Sequence, residues 1–93
     1  MWVLYSATRV FRNGEGRAIK LTPNEAALVQ AIVKCQDLNS ATVRANGITS
    51  SRARVAMSRM RAKFTQAELA LPFFAAYGTQ QYKLTESVEI RRA

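Results

Sequence analysis

Thr22-Pro23-Asn24-Glu25 constrains this chain more than any other stretch of its sequence. A threonine at an N-cap accepts a hydrogen bond from the amide three residues on. A glutamate at that third position reaches back to the cap N–H, and a proline between them lacks a donor that would be orphaned there anyway. The pattern predicts a helix that opens at Pro23 and runs to about Gln36, with Leu28, Ile32 and Cys35 spaced along its buried face. Cys35 reads there as a small buried hydrophobe rather than a reactive thiol.

Short strands are expected before this helix. Val3-Leu4-Tyr5 and Arg9-Val10-Phe11 have strand composition, and Asn13-Gly14-Glu15-Gly16 supplies a turn into Arg17-Ala18-Ile19-Lys20-Leu21. Residues 2–21 therefore predict a small antiparallel sheet or hairpin.

Two further helices are expected behind it. Asn39 or Ser40 caps a short second helix with Val43 pointing inward and Asn46-Gly47 closing it, and Ile48 follows as a core anchor. Thr49 or Ser50 caps a longer third helix. At about 100° per residue, Ala53, Met57, Met60 and Phe64 form a narrow apolar stripe. Ser51, Arg52, Val55, Ser58, Arg59 and Ala62 fall on the opposite side, Arg54 and Arg61 on one flank and Lys63 on the other. A short helix, a glycine-bearing turn and a longer helix form a helix-turn-helix arrangement.

Pro72 ends helical structure, and residues 73–85 read as a β-hairpin. Phe73 to Tyr77 form its first strand, Gly78-Thr79-Gln80 its turn and Gln81 to Thr85 its return. Residues 89–93 read as a frayed end with Arg91-Arg92 as a basic tail. The expectation is a single α+β domain over residues 1–93: a winged helix-turn-helix with a small N-terminal β-sheet, three helices and a C-terminal β-hairpin wing.

Charge points to the partner. Fourteen Lys and Arg face six Asp and Glu for a net +8, and ten of the fourteen are arginine, the side chain that grips phosphate and guanine edges bidentately. Such an excess implies an anionic partner. With no histidine, one cysteine and scattered carboxylates, no acid–base pair or nucleophile is apparent, so an enzyme is the weakest class. The same inventory argues against a metal site and implies no cofactor. No apolar run approaches a membrane span, and the first residues lack a signal-peptide pattern, so the expected setting is cytoplasmic and nucleoid-associated.

In detail the chain resembles the DNA-binding effector domains of OmpR/PhoB-type bacterial response regulators. Leu21-Thr22-Pro23-Asn24-Glu25 is similar to their Leu-Thr-Pro-x-Glu opening of the first helix. Ser58-Arg59-Met60-Arg61-Ala62-Lys63-Phe64 is similar to a Ser-Arg-Leu-Arg-x-Lys-Leu stretch on their recognition helix, and Tyr82-Lys83-Leu84 to the Tyr-Arg-Leu that closes their wing. The resemblance implies a third helix in the major groove, a wing on the adjacent minor groove or backbone, and a role in transcription. Gln80 and Gln81 stand where family wings place glycines. The short connection between helices two and three leaves little room for a polymerase-contacting loop, and there is no receiver domain. A free-standing regulator, or an isolated domain of a longer protein, is therefore the expected form.

The functional expectation is sequence-specific binding of double-stranded DNA as a transcriptional regulator, with a homodimer on DNA or another regulator as the candidate protein partner. Arg52 and Arg59 are candidates for base edges or adjacent phosphates, Ser51 and Ser58 for bases or backbone, and Val55 for a thymine methyl. Arg54, Arg61 and Lys63 suit phosphates. Thr79, Gln80, Gln81 and Lys83 are the wing candidates, while Tyr82 reads as core. Trp2 and the stretch from Leu69 to Phe74 suit either a dimer contact or the core. The alternative is a winged-helix protein-interaction module that binds an acidic protein partner or another regulator. An RNA binder is disfavoured by the lack of clustered aromatics for stacking.

Overall fold

A computed structural model of the chain describes residues 1–35, 37–38, 47–76 and 81–92. Within them the order is β1 (Trp2–Tyr5), β2 (Val10–Arg12), β3 (Ala18–Lys20), α1 (Pro23–Cys35), β4 (Asp37–Leu38), α2 (Ser50–Gln66), β5 (Phe73–Ala76), β6 (Gln81–Leu84) and β7 (Val88–Arg91). The strands form two sheets, one ordered β3-β2-β1-β7 and one ordered β4-β6-β5.

The first sheet is mixed. β2 runs antiparallel to both β1 and β3, whereas β7 runs parallel to β1 with Val88 beside Trp2 and Ile90 beside Leu4. The β2–β3 turn is held by Asn13, whose Oδ1 accepts from the amides of Glu15 (3.0 Å) and Arg17 (2.9 Å). Gly16 sits in that turn at φ 85°, a left-handed conformation that glycine adopts without steric cost.

α1 opens as its sequence dictates. Thr22 Oγ1 accepts from the Glu25 amide at 3.2 Å, and the Thr22 amide donates to Glu25 Oε1 at 2.7 Å. Leu28, Val29 and Ile32 are fully buried, while Cys35 is only half-buried where the helix ends. α2 is capped by Thr49, whose hydroxyl accepts from the Arg52 amide at 3.2 Å. Its far end closes without glycine. Glu68 takes a left-handed φ of 58°, and the Leu69 amide donates to Phe64 O at 2.8 Å, a Schellman-type closure.

The core lies between the helices and the inner faces of both sheets. Ala53, Ala56, Met57, Met60 and Phe64 of α2 are buried against α1, and Phe64 meets Trp2 and Phe11 at ring centroid distances of 5.4 and 6.2 Å. Trp2 and Phe11 lie 4.7 Å apart. Trp2 is therefore core and not a dimer contact, as is Phe73, while Leu69 and Leu71 pack partly against the same cluster.

The winged helix-turn-helix expectation is overturned. The described residues form a small α+β fold with two helices and a four-stranded mixed sheet, and three helices followed by a hairpin wing do not match it. β5 and β6 do not stand off as a two-stranded wing, because β4 pairs along the other edge of β6. The chain then returns to the first sheet as β7, where a frayed end was expected. Val88 and Ile90 alternate with Glu89 and Arg91, so this strand lays its apolar side beside Trp2 and Leu4. The short second helix expected from Asn39 or Ser40 to Asn46, and the wing turn at Gly78-Thr79-Gln80, lie outside the described residues.

Candidate nucleic-acid interface

The helix α2 carries five basic residues and none of the chain's six acidic ones. Burying Ala53, Ala56, Met57, Met60 and Phe64 leaves the opposite side to solvent. Ser51, Arg52, Arg54, Val55, Ser58, Arg59 and Arg61 are all exposed. Val55 is 49% exposed, unusual for a large aliphatic side chain, and it lies between Arg52 and Arg59 on one helical stripe. The two arginines stand seven positions apart, about 10 Å of helix rise. Neither arginine side chain forms a hydrogen bond or ion pair among the described residues.

Lys63 belongs elsewhere. Its Nζ donates to Glu25 Oε1 at 2.5 Å and to Lys20 O at 3.0 Å, so it crosses from α2 to the N-terminus of α1 instead of offering itself to a phosphate. The flank formed by Arg54 and Arg61 is also engaged electrostatically. Burial pushes the Tyr82 hydroxyl above its ordinary value, and the nearby charges of Arg54 and Arg61 pull it partly back. Tyr82 is 2% exposed, so it serves as core.

The wing candidates do not gather with the helix face. Gln81 is held in β6 opposite Ala76, and Lys83 lies between Asp37 and Phe74 in the sheet. Alternation along β6 sends Lys83 to the face opposite Tyr82, and hence away from α2. Thr79 and Gln80 lie outside the described residues.

Several arginines elsewhere act locally. Arg9 Nε donates to Leu21 O at 3.1 Å, and Arg17 Nη2 donates to Ala67 O at 2.6 Å, covering a carbonyl at the C-terminus of α2. Arg12 stands over the Tyr5 ring at 6.0 Å, and Arg91 pairs with Glu89 at 3.1 Å. The Arg17 contact had no sequence signal, since it joins residues far apart in the chain.

No protein-family model, curated protein or solved structure matches this chain. Among the described residues no helix is long and apolar enough to cross a membrane, and no group of His, Cys, Asp and Glu side chains could hold a metal ion.

Proposed function

We propose that the chain binds double-stranded DNA through the exposed face of α2 and acts in the nucleoid as a transcriptional regulator. The observation that carries this reading is the stripe Arg52, Val55 and Arg59: two arginines without a protein partner among the described residues, flanking an exposed valine on a helix without acid. An α-helix fits the major groove, where arginine pairs bidentately with guanine and an aliphatic group meets the thymine methyl. Ser51 and Ser58 on the same side are hydrogen-bonding partners for bases or backbone. Arg54 and Arg61 border the stripe and lie nearer to flanking phosphates.

Selection of bound sequences from a random duplex pool, followed by anisotropy titrations, tests the reading. Arg59→Ala should weaken the selected site by roughly 1–3 kcal/mol and relax one base position, while leaving the fold intact. Affinity for any duplex should fall steeply with salt as counterions are released. An Arg52→Ala/Arg59→Ala variant that binds duplexes as the parent does would sink the assignment. A chain that binds no duplex at low salt, yet binds an acidic protein through these arginines, would assign the face to protein recognition instead.

A further inference from the structure

We propose that β7 is a dimerisation edge, along which a second copy of this chain adds its own β7 antiparallel to form one continuous sheet. Among the described residues β7 ends the order β3-β2-β1-β7. The Trp2 amide donates to Ser87 O at 2.9 Å and the Ser6 amide to Arg91 O at 2.7 Å. Backbone polar groups alternate sides along a strand, so residues 87, 89 and 91 turn theirs toward β1. Val88 and Ile90 then direct their N–H and C=O groups outward, along a row that a further strand would satisfy.

The side chains of β7 select the partner. A two-fold axis through Ile90 places Ile90 opposite its copy as a hydrogen-bonded pair, which matches the outward direction of its backbone groups. The same register sets Glu89 opposite Arg91 of the second copy, and Arg91 opposite Glu89. Both fall at non-hydrogen-bonded positions, where facing side chains come closest. Shifting the axis to residue 89 opposes two glutamates, and shifting it to residue 91 opposes two arginines. Of the registers centred on residues 89, 90 and 91, only the one on Ile90 sets opposite charges against each other. Glu89 and Arg91 already pair within one chain at 3.1 Å with side chains 44% and 50% exposed, so both remain within reach of a neighbour.

The inner face also needs a cover. Val88 and Ile90 pack against the core yet stay half-exposed at the sheet edge. Two open grooves flank them: one of about 630 Å³ between α1 and Ile90, with Ala27, Ala31 and Val33 beside the polar Gln30 and Lys34, and one of about 550 Å³ where Val33 faces Leu84, Glu86 and Val88. Opposed residues in antiparallel strands project to the same face. The second copy's Ile90 would therefore lie on the α1 side against Ile90, with its Arg92 opposite Val88 and its Val88 opposite Arg92.

Sedimentation equilibrium of the chain without DNA tests the proposal. The parent should reach a concentration-dependent dimer. Glu89→Arg and Arg91→Glu should each weaken it about tenfold, because each replaces two facing ion pairs by like-charged ones. The two variants mixed should recover a one-to-one heterodimer, and Glu89→Arg with Arg91→Glu in one chain should restore the homodimer. A parent that stays monomeric at every concentration overturns the proposal, as does a dimer whose affinity neither single variant changes. Circular dichroism of each variant separates lost association from lost fold. Should either single variant unfold, the doubly exchanged chain decides: a folded monomer overturns the register, and a dimer supports it.

Discussion

Lys63 Nζ stands 2.5 Å from Oε1 of Glu25, a carboxylate with no exposed surface. Oε1 also accepts from the Thr22 amide, whereas the buried Oε2 has no hydrogen-bond partner among the described residues. One carboxylate thus completes the N-terminus of α1 and receives the only lysine that α2 carries. Removing the lysine would leave a buried charge with little compensation. Lys63→Met is expected to destabilise the fold by about 2–3 kcal/mol, less than the roughly 3–5 kcal/mol of a fully buried pair because the lysine is 34% exposed. Glu25→Leu combined with Lys63→Met should cost less than the sum of the two single changes. Urea unfolding measures all three, and additivity would show that the pair is not coupled.

The caps of the two helices should respond alike. Thr22→Ala and Thr49→Ala each remove a hydroxyl that accepts from an amide at 3.2 Å. Each should lower stability by about 1 kcal/mol, and serine at either position should retain most of it. Indifference to Thr22→Ala would mean that Glu25 and Lys63 alone hold the start of α1.

Phe64 is the side chain through which α2 reaches the N-terminal sheet. Phe64→Ala should cost about 3–5 kcal/mol, since it opens a cavity beside Trp2 and Phe11. Trp2 is the sole tryptophan and is 3% exposed, so its emission reports directly on this cluster. The folded chain should emit to the blue, and the variant should shift red at a lower denaturant concentration.

Alkaline pH should weaken the fold through Tyr82. Its folded value is raised above the ordinary 10.0 by burial, so the unfolded chain loses this proton first. The stabilisation is complete below pH 10 and declines as pH rises from there through the folded value. Tyr82→Phe should remove that part of the decline. Arg54→Ala or Arg61→Ala should raise the folded value further, because each charge favours the phenolate. Ultraviolet titration of the phenolate reads both effects, and a Tyr82 that ionises ahead of the unfolded chain would contradict the burial assigned here.

Features set by neighbours a few residues apart were legible in the sequence. The capping box of α1, the Thr49 cap, the Asn13 turn and the buried stripe Ala53, Met57, Met60 and Phe64 all follow from local hydrogen bonding and helical period. That stripe in turn determines which side of α2 faces solvent, and so most of the candidate site. Helical spacing could assign Lys63 only to a flank, since its partner Glu25 lies on another helix.

The sequence by itself determined where α1 begins, which side of α2 is buried and that its open side is cationic, because these depend on contacts within one element. The tertiary structure alone decided that the last strand joins the first sheet, that β4 pairs with β6 where a free wing was expected, and that Lys63 belongs to Glu25. Those outcomes join residues from opposite parts of the chain. Alternation at Val88-Glu89-Ile90-Arg91 is compatible with a strand anywhere, and only the apolar edge left beside Trp2 and Leu4 gives it a place.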